Sequence, residues 1–459
     1  MSVSPVPREI ATEHCVRLRH VRSKPLSPVR DTFFMRGLPA MADQAVNSLG
    51  NFLLTFLLAR ALHIHDFGIY TLLFAAMMTA NGLVNTLVGE PIRTLGVGGH
   101  IRRRSAYLGA QLLTAALLGA LAGSIVAGVL MLGVPTSPRI AVIVGVAVAS
   151  TGPFEALRAM RAASQRWGSI LAADCAAQGL KILIVMSAVT LDAANVDVGF
   201  GAIIGSVLVG AISLYAAGPR PALPERVYFL TQLRLHVGFG KWLMLESIVF
   251  TLSTQLYVYL LALVVDVTSV GAYGAAQTLV NVVNLLWMGA TSFSISTGRA
   301  ILLQDGAQAW RRWLLKTGYS LLAVVILILT AISLAAEPLL GSLFSPPYAR
   351  YAYVVPALAI AGVLTAGNSL LGATFRTLNL PQMGFHGKAV SAVITLLISV
   401  PLVRHWGAMG AAGGMIITQL CWLAVYLWGL HRIQADWVQR IDSLRLTYGA
   451  TDTTSTARA

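Results

Sequence analysis

Charged residues are scarce in this chain: Asp, Glu, Lys and Arg together make up 11% of its 459 residues. Soluble globular proteins carry about 25% charged residues. A chain with less than half of that proportion lacks the polar surface to coat a water-soluble body of this size. Because 56% of the residues are hydrophobic and the mean hydropathy is +0.72, lipid must surround most of the chain. The composition therefore predicts an all-α integral membrane protein.

Acidic residues are scarcer than basic ones, 18 against 33, which gives a formal net charge of +15. Strong basicity is also found in nucleic-acid-binding proteins, but there it forms a patch on a soluble domain. Here the basic residues lie in short segments between apolar runs, where membrane topology accounts for them. Nucleic acid is therefore not an expected partner.

Cysteine is almost lacking, and the three present, Cys15, Cys175 and Cys421, have no paired spacing. Neither a disulfide framework nor a cysteine metal site is expected from them. His63 and His65 share an external loop, but a metal site there would need a third ligand nearby. The sequence also has no nucleotide-binding motif between a strand and a helix, and no nucleophile and base at a recognisable spacing. It predicts no cofactor, no metal and no enzymatic activity.

Long apolar runs are what the chain has in abundance. A membrane-spanning helix needs about 20 mostly apolar residues at a rise of 1.5 Å per residue. Twelve runs qualify as candidate spans, of which the eleventh is short. They cover residues 38–62, 68–90, 106–134, 140–157, 169–191, 198–217, 242–265, 271–296, 317–336, 353–375, 389–403 and 410–430.

The distribution of Lys and Arg predicts how these spans are oriented. With the N-terminus inside the cell, the cytoplasmic segments hold 28 of the 33 basic residues and the external connections hold four. The remaining one, Lys181, lies within the fifth run. Because cytoplasmic segments of membrane proteins are enriched in Lys and Arg, both termini are predicted to be cytoplasmic.

An internal repeat divides the chain into two halves. At an offset of 203 residues, a 44-residue segment that begins at Asp43 aligns without gaps on one that begins at Glu246. Ten positions are identical, including Gly68 with Gly271. Equivalent helices run in the same direction, so the fold class is predicted to be two parallel-repeat lobes of six helices, as in many transporters.

The predicted domain organisation follows from this repeat and from the longest gap between spans, which contains the helix-breaking run Pro219-Arg220-Pro221. The chain is divided into a basic cytoplasmic tail (1–36), an N-terminal lobe (37–217), a cytoplasmic linker (218–241), a C-terminal lobe (242–430) and a cytoplasmic C-terminal tail (431–459).

Lys181 is the most informative charged residue, because it lies near the middle of the fifth span. An ionised side chain at the bilayer centre costs about 2.5–3.5 kcal/mol on insertion scales. Asp174 lies seven residues earlier, two turns away on the same helix face. Two interpretations stand side by side: Lys181 binds an anionic group of a substrate in a central cavity, or it is a buried structural partner of Asp174 or of another acid.

Polar stripes mark the first helix of each half. Asp43, Asn47 and Asn51 are spaced at i, i+4 and i+8 on the first span. On the seventh span, Glu246 is followed by further polar residues, among them Thr251 and Gln255. We predict that both stripes line the cleft between the halves and that the acids bind H⁺ or Na⁺. The alternative is that they form interhelical hydrogen bonds, worth about 0.6 kcal/mol each.

Acid–arginine pairs lie near the cytoplasmic ends of two spans, Glu90 with Arg93 and Glu155 with Arg158. Arg299 and Arg376 lie at similar depth in the second half. Planar guanidinium groups bind phosphate bidentately, so these arginines are candidates for a basic mouth that receives a phosphate-bearing headgroup. The competing interpretation is ordinary anchoring of arginines at the membrane interface.

Several short motifs carry a resemblance to a known family. In the first half they are Leu58-Ala59-Arg60, Phe67-Gly68-Ile69-Tyr70 and Gly89-Glu90-Pro91, and in the second Val270-Gly271-Ala272-Tyr273 and Leu343-Phe344 followed by Tyr348. Across most of residues 35–430 the chain resembles bacterial polysaccharide-biosynthesis flippases, of the O-antigen type, in the multidrug/oligosaccharidyl-lipid/polysaccharide exporter superfamily.

The resemblance implies a V-shaped pair of lobes in the bacterial inner membrane. It also implies a substrate, an undecaprenyl-diphosphate-linked oligosaccharide that serves as a precursor of lipopolysaccharide or exopolysaccharide. Lys181 and the mouth arginines would suit the diphosphate, and Asp43 and Glu246 would suit ion coupling or sugar hydroxyls. The expected partners are this lipid-linked oligosaccharide, membrane lipids, H⁺ or Na⁺, and other membrane proteins of polysaccharide assembly.

The resulting hypothesis is ion-coupled translocation of a lipid-linked glycan by alternating access. A Na⁺- or H⁺-coupled multidrug exporter of the same superfamily is the main alternative, although a lone cation at mid-span favours an anionic substrate. A membrane-embedded glycan polymerase or ligase is an alternative from another class. Such enzymes usually need a sizeable external catalytic loop, and every external loop here is short.

Overall fold

The computed structural model describes residues 29–95, 104–133, 137–218, 220–284, 286–287, 298, 301–302, 305–378, 380 and 382–434. Within these ranges the protein is helical and contains no strand, which confirms the predicted all-α class. Each of the twelve predicted spans falls at least partly on helical residues. Arg299 and the end of the eighth predicted span lie outside the described residues.

The long helices of the first half are α1 (Val29–Ala61), α2 (Ile64–Leu87), α4 (Arg104–Gly133), α5 (Pro138–Ala163), α6 (Trp167–Thr190) and α7 (Val196–Ala216), with a short α3 (Gly89–Leu95). Those of the second half are α8 (Arg226–Thr254), α9 (Val267–Val280), α10 (Ala307–Leu334), α11 (Val354–Thr377) and α12 (Gln382–Gln434). Short helical turns at Leu256–Leu260 and Leu261–Val265 join α8 to α9, and others at Ala336–Leu339, Leu340–Phe344 and Pro346–Ala349 join α10 to α11.

Within the described part of the chain, eight helices are long and apolar enough to cross a membrane, or nine if the two bent pieces of α8 form one span. The pieces Arg226–Lys241 and Leu243–Thr254 meet at 43°, so most of the predicted cytoplasmic linker is already helical. The last counted helix, α12, is two helices that meet at Gly407, whose φ of +53° is strained for other residues. It therefore carries both the eleventh and the twelfth predicted spans.

Small residues let neighbouring helices approach closely, as expected in a membrane protein. A Cβ atom on Gly123 of α4 would lie 2.3 Å from the carbonyl oxygen of Gly145 on α5. A Cβ atom on Gly152 would likewise lie 2.6 Å from the carbonyl oxygen of Ala115. The glycine content of these helices thus sets the distance between α4 and α5.

The two halves share one apolar core, because α2 packs against both α8 and α9. Phe56 of α1 packs against Phe344, with ring centroids 5.9 Å apart, and Phe67 of α2 packs against Tyr348 at 6.1 Å; both partners lie in the turns that join α10 to α11. Further along α2, the hydroxyl groups of Thr79 and Tyr259 are 2.8 Å apart. The predicted six-helix lobes are therefore in broad contact, and their exact boundaries stay a prediction.

Candidate functional site

Ionised side chains gather at the same end of α1, α3, α5 and α6. Local sequence accounts for part of this arrangement, since Glu155 and Arg158 are one turn apart near the end of α5. Packing of α1 against α6, and of α3 against α5, brings the remaining members together. We call this group the N-terminal cluster, and it consists of Asp43, Asn47, Glu90, Arg93, Glu155, Arg158 and Asp174.

Arg158 is the centre of the N-terminal cluster. Its Nη2 lies 2.9 Å from Asp43 Oδ2 and 2.8 Å from Asp174 Oδ2, and its Nη1 lies 3.0 Å from Glu155 Oε1. The side chains of Asp43 and Asp174 are 6% and 1% exposed. Carboxylates this deep need a cation or hydrogen-bond donors, so Arg158 neutralises groups that water does not reach.

Arg93 extends the N-terminal cluster towards its more exposed side. Its Nη1 lies 2.8 Å from Glu90 Oε1, and its Nη2 lies 3.4 Å from Glu155 Oε2. Glu155 therefore bridges the two arginines. Both cations of this cluster are already held by carboxylates in this conformation.

Lys181 is 3% exposed and lies between α6 and α1. Its Nζ donates a hydrogen bond of 2.7 Å to Asn51 Oδ1. A ladder of amides continues from there, with Gln178 Nε2 donating to Asn47 Oδ1 at 2.7 Å and Asn47 Nδ2 donating to Asp174 Oδ2 at 2.5 Å. The polar stripe of α1 thus pairs with α6, and the two predicted roles of Lys181, cavity ligand or structural partner, both stay open.

A second group of charged and aromatic residues lies in the C-terminal half, where α8 packs against α12. The Nζ of Lys388 is 2.5 Å from Glu246 Oε1. The same atom lies 5.4 Å from the ring centroid of Phe250 and 5.9 Å from that of Trp422, within the range of cation–π attraction. We call Glu246, Phe250, Lys388, Trp422 and Tyr426, together with Arg376, the C-terminal cluster.

Tyr426 and Arg376 complete the C-terminal cluster from α12 and α11. Tyr426 packs against Trp422 with a centroid distance of 5.8 Å and is close enough to Arg376 and Glu246 to interact with their charges. Arg376 is exposed, and within the described residues no carboxylate pairs with it. The indole of Trp422 is buried, and its Nε1 is within hydrogen-bonding reach of the Tyr426 hydroxyl.

The two clusters differ in how far solvent can reach them. The carboxylates held by Arg158 include two that are almost fully buried, whereas the side chains of Glu246 and Lys388 are 36% and 19% exposed. Thr251 and Gln255, the other residues predicted on the seventh span, are half-buried. Thr251 lies in the last turn of α8, and Gln255 caps its C-terminus. The Glu246–Lys388 pair is therefore more accessible than the buried contacts of Arg158, although the Arg93–Glu90 pair of the N-terminal cluster, with side chains 34% and 43% exposed, is also accessible.

Sequence inspection missed Lys388, because it precedes the short apolar stretch 389–403 and was assigned to a cytoplasmic connection. The structure places it inside α12, with Glu246 as its partner. The usable signal was the acid at position 246, which a membrane-spanning helix retains only when it is paired or faces a cavity.

Comparison with known proteins supports the fold but not a particular family. No family model matches the chain, and no curated protein matches it. One similar solved structure is a multidrug-resistance MATE family transporter of the MOP superfamily, known in inward- and outward-facing conformations. Both conformations have a TM-score of 0.60 at 14% identity, and the match covers 87% of this chain and 95% of the transporter. The lipid II flippase MurJ, in an inward closed conformation, has a TM-score of 0.67 at 9% identity, covering 86% of this chain and 87% of its own.

A third similar structure is a MOP superfamily transporter from Pyrococcus furiosus, described as having a binding pocket of reversed polarity that suggests a different function. It has a TM-score of 0.57 at 13% identity and covers 87% of this chain and 95% of its own. The chain is thus a multi-pass helical membrane protein. More particularly, it has the fold of MOP superfamily transporters and flippases, which is the fold that the resemblance predicted; these neighbours are not enzymes.

Proposed function

We propose that this protein moves an undecaprenyl-diphosphate-linked oligosaccharide across the bacterial inner membrane by alternating access. The observation that carries the proposal is the C-terminal cluster, where exposed Arg376 and half-buried Lys388 lie beside aromatic rings. Under the predicted topology this end of the helices faces the cytoplasm, the leaflet in which such precursors would be loaded.

The chemistry of the substrate fits these residues. A diphosphate requires cations, and a guanidinium without a competing carboxylate can bind it through two parallel hydrogen bonds. Sugar rings present C–H faces that pack on aromatic side chains, and Trp422 supplies such a ring beside Lys388. In the described residues, Arg376 combines exposure with the lack of a carboxylate partner.

Ion coupling forms part of the proposal and rests on the N-terminal cluster. The N-terminal cluster and Lys181 together carry four carboxylates and three cations. The carboxylates belong to Asp43, Glu90, Glu155 and Asp174, and the cations to Arg93, Arg158 and Lys181. Asp43 and Asp174 share one nitrogen of Arg158, so a bound H⁺ or Na⁺ would balance the remaining negative charge. A ligand can drive a conformational change only if it binds one conformation better, and a cation between these acids could do so.

The same acids favour the alternative, a Na⁺- or H⁺-coupled multidrug exporter. The fold is shared with a multidrug-resistance transporter as well as with a flippase, so the fold does not separate these functions. The alternative predicts that acidic and aromatic residues bind a cationic drug, in which case Arg376 would weaken binding by repulsion.

The leaflet distribution of lipid-linked oligosaccharide in cells that lack this protein tests the proposal. We expect the precursor to accumulate in the cytoplasmic leaflet and to be cleared by the wild-type protein but not by Arg376→Ala. Arg60→Ala, which removes an exposed arginine at the far end of α1, is the matched control and should complement fully. Lys181→Ala belongs in the same set, although its burial requires that protein levels be measured in parallel.

An unchanged leaflet distribution in the deleted cells would reject the flippase function. Drug accumulation in the same cells would then test the exporter. Accumulation that falls on expression of wild-type protein, and falls further with Arg376→Ala, would support the exporter.

A further inference from the structure

Lys388 is surrounded by three neighbours that leave its ammonium group able to bind a further anion. Glu246 accepts one hydrogen bond from the ammonium group, and the rings of Phe250 and Trp422 face the cation from two other directions. An ammonium group has three hydrogen-bond donors. Aromatic rings stabilise its charge without accepting a directed hydrogen bond from it. Among the described residues, Lys388 is therefore paired with a single carboxylate.

Arg158 of the N-terminal cluster is a cation of the same protein that is held much more firmly. Arg158 is bound to three carboxylates, two of which are at most 6% exposed. Release of Arg158 would leave these charges buried without compensation, which is strongly unfavourable. Glu246 is 36% exposed, so water can solvate its carboxylate when Lys388 leaves. The two cations therefore differ in the free-energy cost of changing partners.

We propose that Lys388 is a ligand for the phosphate groups of the substrate and that Glu246 holds its ammonium group until the anion arrives. The anion replaces Glu246 as the acceptor, and Glu246 turns to solvent. The lysine side chain has a flexible four-carbon stem, which permits this exchange without movement of α12. Naming the phosphate rests on the proposed function, while the exchange itself rests on the contacts of Lys388.

Trp422 lies at the same position as the proposed ligand and reports on it. Its side chain is 8% exposed, and its ring centroid is 5.9 Å from Nζ of Lys388. An anion that replaces Glu246 beside Lys388 therefore changes the surroundings of the Trp422 indole.

Binding to the purified full-length protein tests this exchange. The protein is placed in nanodiscs of phosphatidylcholine and titrated with inorganic pyrophosphate and, separately, with farnesyl diphosphate, while tryptophan fluorescence is recorded. We expect saturable binding that Lys388→Ala weakens at least about tenfold, because a charge-assisted hydrogen bond is lost. Glu246→Gln should bind more tightly than wild type, because the competing carboxylate is gone. Trp422→Phe should lose most of the fluorescence change.

The exchanged variant Glu246→Lys/Lys388→Glu separates binding from a purely structural ion pair. It restores an ion pair between α8 and α12, so thermal stability should recover relative to Lys388→Ala, while diphosphate binding should not. Diphosphate binding by Lys388→Ala that equals wild type would overturn the proposal. So would wild-type affinity of the exchanged variant, or weaker binding by Glu246→Gln. If Lys388→Ala does not fold, the other two variants still decide the question.

The phosphate site and the proposed function can fail independently of each other. Diphosphate binding that depends on Lys388, in a protein whose deletion leaves the leaflet distribution unchanged, would support the phosphate site and reject the glycan-lipid substrate. Tighter binding of farnesyl diphosphate than of pyrophosphate would identify a lipid-linked anion as the ligand. Equal affinities would show that Lys388 binds phosphate and that the lipid chain does not contribute to binding.

Discussion

Gly68 on α2 and Gly271 on α9 lie in reciprocal backbone contact. A Cβ atom on Gly68 would lie 2.0 Å from the carbonyl oxygen of Val267, and a Cβ atom on Gly271 would lie 2.3 Å from the carbonyl oxygen of Ile64. The two glycines are equivalent in the internal repeat at an offset of 203 residues, and so are Ile64 and Val267. This reciprocity indicates that a pseudo-twofold axis relating the halves passes through the crossing of α2 and α9.

Substitution of either glycine should therefore push the halves apart. Gly68→Ala and Gly271→Ala place a methyl group against backbone that cannot rotate away, and overpacking of this kind costs about 1–3 kcal/mol. Thermal unfolding of the detergent-solubilised protein should show a lower midpoint for both variants. Gly201→Ala is the matched control, because no atom lies within 4 Å of its added Cβ. Equal midpoints for all three variants would contradict the close crossing.

A disulfide across the same crossing should lock the contact. A Cβ atom on Gly274 would lie 3.4 Å from Cβ of Thr71, close to the separation of about 3.8 Å found in disulfides. In a background without the three native cysteines, Thr71→Cys/Gly274→Cys should form this bond under oxidation, as shown by mass spectrometry. If alternating access separates α2 from α9, oxidation should stop transport and reductant should restore it. Each single cysteine variant should be insensitive to oxidation, and continued transport by the oxidised pair would show that this crossing does not open.

Removal of the central arginine should destabilise the first half strongly. Arg158→Gln leaves Asp43 and Asp174 without their shared cation, and breaking a buried ion pair in this way costs about 3–5 kcal/mol. A markedly lower unfolding midpoint is expected, with partial recovery in Arg158→Gln/Asp174→Asn. For comparison, Arg139→Ala removes a pair with Asp197 in which the arginine side chain is 78% exposed, and it should change stability by at most about 1 kcal/mol. Similar losses for Arg158→Gln and Arg139→Ala would contradict the buried network.

The predicted orientation can be checked at two exposed positions, His405 and Arg312. In a cysteine-free background, His405→Cys should react with a membrane-impermeant maleimide in intact spheroplasts, because the charge distribution places it outside. Arg312→Cys should react only after the membrane is permeabilised. The reverse pattern would invert the topology and move both charged clusters to the external side.

Sequence patterns predicted the helices well, because each helix depends on its own residues and on lipid as the solvent. Twelve apolar runs were sufficient to place helical residues, including the short stretch 389–403, which the structure merges into α12. The repeat offset pairs positions 68 and 271, and in the structure these two glycines meet where α2 crosses α9. The start of α8 at Arg226 differs from the predicted linker, because an amphipathic segment has too few apolar residues to qualify as a span.

The sequence by itself determined the class of the protein, its helical segments and the identities of its intramembrane acids and bases, since these follow from local composition and the cost of placing charge in lipid. Only the tertiary structure decided which charges meet. Arg158 could have paired with Glu155 alone, and its contacts with Asp43 and Asp174 exist because α1, α5 and α6 pack with those faces together. Lys388 came to lie against Glu246 for the same reason, as helix rotation and packing join residues 142 positions apart in a way that no local pattern records.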